Sequence, residues 1–246
     1  MNLIKVLICP DTHFPYHSKP EWKTFLKVAE VWRPDKFVFL GDGVDNYCVS
    51  RFLKDPRKKL PLEKEVELAN REFDKVSALG IEDVTYLEGN HEVRLEKYLI
   101  NMGGELLGIV DIKKLLKIKE RGWNWKPYGH YHSIGKLNFV HDVGYAGINA
   151  SRMSVQKFGG NIIFGHTHQA QTTYTSSLNG DCHVGHTMGW LGDKEYVDYG
   201  TRVRIFRETQ LGFGIAYVRK NDGIGWSQFV PIIKGTACVE GQFIRG

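Results

Sequence analysis

The chain has few cysteines and no arrangement of them that builds a scaffold. Cys9, Cys48, Cys182 and Cys238 stand far apart across 246 residues, with no CxxC pair. That spacing argues against a disulfide framework or a structural zinc site and fits a reducing, cytoplasmic setting. No run approaches the roughly 18 apolar residues of a membrane span, so no membrane partner is expected. The opening MNLIKVLICPD is too short and too soon interrupted to be a secretory signal, and reads as a first strand. Linker composition, low-complexity tracts and internal repeats are also missing. One domain over residues 1–246 is therefore the economical reading. Charge of one sign is not dominant: a net +5 allows an anionic partner without demanding one.

What is present is a core. Hydrophobic residues make up 42% and aromatics 12% of the chain, the balance of a globular protein. Short apolar runs alternate with helical patterns, the signature of α/β layering. IKVLIC (4–9), KFVFL (36–40), DVTYL (83–87), KLNFV (136–140) and NIIF (161–164) read as strands. Ser18 and Pro20 open a helix whose Trp22, Phe25, Leu26, Ala29 and Trp32 share a face. A second helix runs from about Pro61 to Leu79, with Val66, Ala69, Phe73 and Val76 on one face and Gly80 as its stop. A short helical segment is expected around Asn149–Phe158. Beyond Thr201, FGIAYV and WSQFVPII flank a turn at Lys220–Gly223.

Each of the five strands runs into polar residues. IKVLIC leads to Asp11 and His13, KFVFL to Asp42 and Asp45, and DVTYL to Asn90 and His91. KLNFV leads to His141, and NIIF to His166 and His168. In open α/β sheets, groups beyond the carboxyl ends of neighbouring strands converge on one crevice. Neutral imidazoles, carboxylates and an amide oxygen without a thiolate suit Mn, Fe, Co, Ni or Zn. Asp11, His13, Asp42, Asn90, His141, His166 and His168 are too many ligands for one ion and suit two that share a carboxylate. Any one block alone is more often a turn or a cap; five in order, each after an apolar run, are not explained that way.

Taken together, DxH, GDxxD, GNHE, a lone His and GHxH resemble the calcineurin-like metallophosphoesterases, over residues 4–168. The resemblance implies a β-sandwich flanked by helices, in four α/β/β/α layers, and a metal-dependent phosphoric ester hydrolase. It implies two divalent ions, with Mn the first expectation and Fe, Zn, Ni or Co as alternatives. Asp11, His13, Asp42 and His168 would bind one ion. Asp42, Asn90, His141 and His166 would bind the other, so that Asp42 bridges. His91 would serve the substrate phosphate as the catalytic residue, oriented by Asp45 through an accepted hydrogen bond.

Two further histidine pairs compete with GHTH. His130 and His132 of GHYH follow a polar-aromatic stretch and fall outside the block order, so they are expected to be a decoy, lining the cleft at most. His183 and His186 are expected in a loop, with a surface or packing role. The segment 93–135 is long enough for a cap, and its Trp123, Trp125, Tyr128 and Tyr131 suit either base stacking or core packing.

The substrate expectation is a phosphodiester of a nucleotide or nucleic acid. The protein Ser/Thr phosphatase branch carries arginine before GNHE and after the GD block, where this chain has Glu88 and Asn46. Arg94 is able to supply one charge or to be structural. Arg51, Lys54, Arg57, Lys58 and Lys59 either steer a polyanion or form a solvated loop. Lys113, Lys114, Lys117 and Lys119 read as a solvated helix face. The alternatives are a phosphomonoesterase and a non-catalytic scaffold on the same fold, the latter opposed by the intact His91 and ligand set.

Overall fold

Alternate side chains of the first strand, β1 (Leu3–Cys9), enter two different cores. Val6 and Ile8 face one and Leu7 and Cys9 the other, which is why its sequence is a continuous apolar run. The computed structural model describes residues 2–52, 54, 55, 60–196 and 207–246. Arg57, Lys58 and Lys59 of the first basic cluster lie outside these.

β1 pairs in parallel with β2 (Lys36–Phe39), which pairs in parallel with β3 (Asp83–Leu87). β10 (Gly212–Arg219) lies antiparallel on the other side of β1 and forms a hairpin with β11 (Gly225–Pro231) through the expected turn at Lys220–Gly223. With β4 (Asn124–Lys126) these strands make a six-stranded sheet in the order β11-β10-β1-β2-β3-β4. The second sheet has five strands. They are β5 (His132–Ile134), β6 (Leu137–Val140), β7 (Asn161–Phe164), β9 (Cys182–Met188) and β8 (Ala170–Ser176), in that spatial order. β12 (Thr236–Val239) and β13 (Gln242–Arg245) form a separate hairpin against the helix α1 (Lys19–Trp32).

The sheets face each other across a core of Val6, Ile8, Val38, Leu40, Phe139, Ile163 and Met188. The outer face of the larger sheet is covered by α1 (Lys19–Trp32) and α2 (Leu62–Ser77). Trp22, Phe25, Val28 and Phe73 there meet Leu7, Phe37 and Phe39. α5 (Ala150–Phe158) covers the smaller sheet, setting Ala150 and Val155 on Val140, Ile162 and Phe164. The result is the four-layer α/β/β/α sandwich. Burying one such large apolar side chain contributes about 1.5–3 kcal/mol. Among the described residues no helix is long and apolar enough to cross a membrane.

One expectation changes. His183 and His186 lie on β9 and not in a loop. β9 is hydrogen-bonded to β7 on one side and β8 on the other, so backbone pairing holds a strand whose side chains do not advertise it. The packing role survives: His186 is buried, with Nδ1 3.2 Å from Ser227 Oγ. Of the two readings left open for Trp123 and Trp125, packing is the one seen: Trp123 is buried in the core and Trp125 is half-buried against it. Trp123 packs on Phe39 and Phe73, and Trp125 stacks on Tyr86 at 5.1 Å and 3°. The segment 93–135 contributes α3 (Val93–Met102), the single turn α4 (Ile112–Leu115) and an edge strand to each sheet, β4 and β5.

Candidate metal centre

The carboxyl ends of β1, β2, β3, β6 and β7 meet at one edge of the sandwich, and the loops that leave them are laced together. The amides of Thr12 and His13 donate to the Asp42 carbonyl at 3.1 and 2.9 Å. The His91 amide donates to Asp42 Oδ1 at 2.8 Å, and the His166 amide to Asp11 Oδ2 at 3.0 Å. His13, Asp42, His166 and His168 all have positive φ, between 48° and 65°. Non-glycine residues persist there only where surroundings over-determine them, and such strain gathers at functional sites. The block glycines answer to close approach. A Cβ on Gly89 would lie 2.2 Å from Asp42 Oδ1, and one on Gly41 would lie 2.6 Å from His141 Nδ1.

Glu92 is the hub of this lacing. It is fully buried and accepts from the amides of Asp42, Val44 and Gly89 at 3.0, 3.1 and 2.8 Å, and from the Tyr86 hydroxyl at 2.7 Å. One carboxylate thus ties the loop after β2 to the loop after β3. Burial, then the neighbouring Asp42, pushes its pKa up.

Among the described residues three groups of ligating atoms result, each within 4.8 Å: Asp11, His13 and His168; Asp42, His141 and His166; and His13, Asp45 and His91. In the first, His168 Nε2 lies 3.0 Å from both His13 Nε2 and Asp11 Oδ2. In the second, Asn90 Oδ1 lies 2.9 Å from His141 Nε2 and 2.7 Å from His166 Nδ1, and His141 Nε2 lies 3.4 Å from Asp42 Oδ1.

These groups fit divalent cations. His141 Nδ1 lies 2.8 Å from the Leu40 carbonyl, which accepts only if Nδ1 carries the proton. Its Nε2 lone pair is then turned inward, the arrangement by which outer partners fix metal-binding imidazoles. His13 repeats the device, with Nδ1 3.1 Å from Asp45 Oδ2 and Nε2 inward. The inward atoms are thus mostly acceptors crowded on acceptors, which a cation satisfies. Every donor is nitrogen or oxygen, which suits borderline ions.

The electrostatics agree. Burial alone would raise Asp11, Asp42 and Asp45, yet all three are held below the usual carboxylate range. His168 does most of this for Asp11, His141 for Asp42 and His91 for Asp45. Burial likewise works against protonation of His141, but Asp42 and then Asp11 push its pKa up to about 10. His91 is raised against its burial by Asp42 and Asp45. His13 goes the other way, lowered by burial and by His91. The field of the carboxylates favours positive charge.

All nine residues expected from the sequence are brought together: Asp11, His13, Asp42, Asp45, Asn90, His91, His141, His166 and His168. His130 and His132 join none of the ligating groups. His130 is exposed on a turn, and His132, on β5, lies 3.5 Å from Thr85 Oγ1. Tyr128, the residue before GHYH, touches the site wall: its ring centroid is 6.2 Å from that of His141 and its hydroxyl donates to Asp142 at 2.8 Å.

Other contributors carry no clear sequence signal. Trp190, buried on the loop after β9, stacks on His168 at 4.5 Å and 11°. Asn46, at φ 53°, donates from Nδ2 to the His91 carbonyl at 2.9 Å. Glu88 accepts from the Tyr128 amide at 2.9 Å. Arg94 enters the site, and only its proximity to GNHE hinted at it. Its Nη2 lies 2.6 Å from His91 Nε2, and its Nη1 lies 2.9 Å from the Asp45 carbonyl and 3.4 Å from Asp45 Oδ1.

Comparison with known proteins locates a match to the calcineurin-like phosphoesterase family model over residues 4–170. The chain is 25% identical to the Gene 54 protein of Mycobacterium phage D29 over 261 aligned positions, covering 97% of each chain. It is 24% identical to the Gene 54 protein of Mycobacterium phage L5, again with 97% of each covered. Among solved structures it is similar to Yfce, a phosphoesterase from E. coli, at 15% identity and a TM-score of 0.44, covering 92% of this chain and 98% of that one.

Proposed function

The chain belongs to the calcineurin-like phosphoesterase family, a phosphoric ester hydrolase by that membership, and we propose that it is a binuclear metallophosphodiesterase. We assign Asp11, His13, Asp42 and His168 to one divalent ion and Asp42, Asn90, His141 and His166 to the other, with Mn as the first candidate. Such ions, when bound, polarise phosphoryl oxygens and supply a nucleophile from water at neutral pH.

The chain's own residues do the rest. His91 lies beside Asp42, with Nε2 3.7 Å from Asp42 Oδ2, and is the proton donor to the leaving oxygen. The Asp45 carbonyl accepts from His91 Nδ1 at 2.9 Å and so fixes the ring, leaving Nε2 to face the substrate. Asp45's carboxylate orients His13 at 3.1 Å.

The preference for diesters rests on one observation. Among the described residues, Arg94 is the guanidinium hydrogen-bonded to a proposed site residue, while the positions flanking the blocks hold Asn46 and Glu88. A monoester carries close to two charges at neutral pH and a diester one, so a site with a single guanidinium and an added carboxylate suits the diester better. Among diesters, nucleotides and nucleic acids come first, supported by the net charge of +5 and by Arg51 and Lys54 on the loop after Asp45. Free cysteines support a cytoplasmic setting.

Turnover of bis-p-nitrophenyl phosphate against p-nitrophenyl phosphate, both with Mn²⁺, tests this reading. The diester is expected to have the higher kcat/KM, by about tenfold or more. A preference for the monoester overturns the diester assignment.

A further inference from the structure

Arg94 stands on the first turn of α3, and its guanidinium folds back onto the loop that carries His91 and Asp45. The hydrogen-bond roles there are determined. The Asp45 carbonyl can only accept, so His91 Nδ1, 2.9 Å away, carries a proton and donates to it. Arg94 Nη1 donates to the same oxygen at 2.9 Å. Arginine has no acceptor, so His91 Nε2, 2.6 Å from Nη2, must accept. The nitrogen of His91 that faces Asp42 is therefore held by a guanidinium N–H and cannot donate while it is.

A purely structural arginine pairs its charge with a carboxylate, best in a two-point fork. Arg94 does not. Its nearest carboxylate oxygen, Asp45 Oδ1, is 3.4 Å away, and the other oxygen of that group is taken by His13 at 3.1 Å. The shortest contact goes to an imidazole nitrogen, although the side chain is only 18% exposed. The guanidinium is mostly desolvated, anchored through Nη1, and under-compensated at Nη2.

We propose that Arg94 is a substrate-binding residue that also gates His91. An anionic phosphoryl oxygen is a stronger acceptor than an imidazole nitrogen. When the phosphoryl group enters, Nη2–H passes from His91 Nε2 to a non-bridging oxygen, while Nη1 keeps its bond to the Asp45 carbonyl. No proton changes owner in this exchange. His91 Nε2 is released in the same event to face the leaving oxygen, and the proton it delivers there is the one that the attacking water gives up. Arg94 thereby supplies, from the helix after GNHE, the guanidinium that Glu88 and Asn46 do not.

This inference rests on the phosphoesterase reading, so its test uses a readout other than turnover. Inorganic phosphate is titrated calorimetrically into the Mn²⁺-loaded wild type, Arg94→Ala and Arg94→Lys, with metal content measured in parallel. Arg94→Ala should weaken phosphate by about 10- to 100-fold, the weight of a charge-assisted hydrogen bond, and raise KM for the diester, with metal content unchanged. Arg94→Lys should restore part of the phosphate affinity, because charge remains without the fork. Unchanged phosphate affinity in Arg94→Ala at full metal content overturns the inference even if the wild type is an active hydrolase. Weakened phosphate binding in Arg94→Ala, together with a wild type inert to every ester, would instead leave Arg94 standing and sink the functional reading. If Arg94→Ala fails to fold, Arg94→Gln carries the same comparison; failure of both to fold overturns the inference by making the residue structural.

Discussion

His91 and Asp45 meet mainly through the backbone, with Nδ1 2.9 Å from the Asp45 carbonyl and 3.5 Å from its carboxylate. A side-chain partner can be replaced or rotated; a carbonyl fixed by the loop after β2 cannot. Sequence alone gives Asp45 one role, the orienting of His91; the geometry divides its side chain from its main chain. The carboxylate of Asp45 belongs with His13, and the orienting of His91 belongs to the main chain. His91→Ala should lower turnover by about 10²- to 10⁴-fold, the usual worth of a general acid, while leaving metal in place. Elemental analysis of the purified variant checks this, and loss of metal would reassign His91 as a ligand. His166→Ala or His168→Ala should lose metal by the same measurement, and His130→Ala or His132→Ala should not.

At the scale of elements, the strands that lead to the site were legible because both their faces are buried. β1, β2, β3, β6 and β7 read as apolar runs, and the residues after them read as ligands. The faces of α1 and α2 were legible from their helical spacing instead. β9 was not: Cys-His-Val-Gly-His-Thr-Met owes its place to pairing on both edges and to Gly185, where a Cβ would lie 2.2 Å from the Ser151 carbonyl oxygen. Trp190 and Glu92 were illegible as site residues because what they do depends on loops brought together from distant parts of the chain.

Glu65, on the first turn of α2, belongs to this scale. It is buried, accepts from the Tyr47 amide at 3.0 Å, and so braces the loop that follows Asp45. Burial, then Asp45, raises its pKa to about 7. A carboxyl whose folded pKa lies above its unfolded value binds protons more tightly when folded. Its contribution is therefore most favourable at low pH and is lost as pH rises from the unfolded pKa through about 7. Glu65→Gln keeps an acceptor for Tyr47 without the charge. Denaturation at pH 5 and pH 8 should show the variant gaining on the wild type by about 1–3 kcal/mol between the two. A difference independent of pH would refute the buried-charge account.

For the whole molecule, the consequence is that the proposed ions join the two sheets. Asp11, His13, Asp42 and Asn90 leave strands of the six-stranded sheet, and His141, His166 and His168 leave strands of the five-stranded one. The inter-sheet core of Val6, Ile8, Phe139 and Ile163 is buried independently of those residues, so the sandwich should form without metal. Metal should then add stability by binding the folded state alone, about 2.7 kcal/mol at a hundred times the dissociation constant. For a chain of this size that corresponds to a rise in Tm of about 5–10 °C. Calorimetric scans with Mn²⁺ and with a chelator should show that rise in the wild type. Asp42→Asn, which weakens the one ligand proposed to serve both ions, should lose most of it while keeping the chelated Tm close to that of the wild type. An equal metal shift in both proteins would mean that Mn²⁺ stabilises the fold somewhere other than at this site, and the bridging role of Asp42 would fall with it.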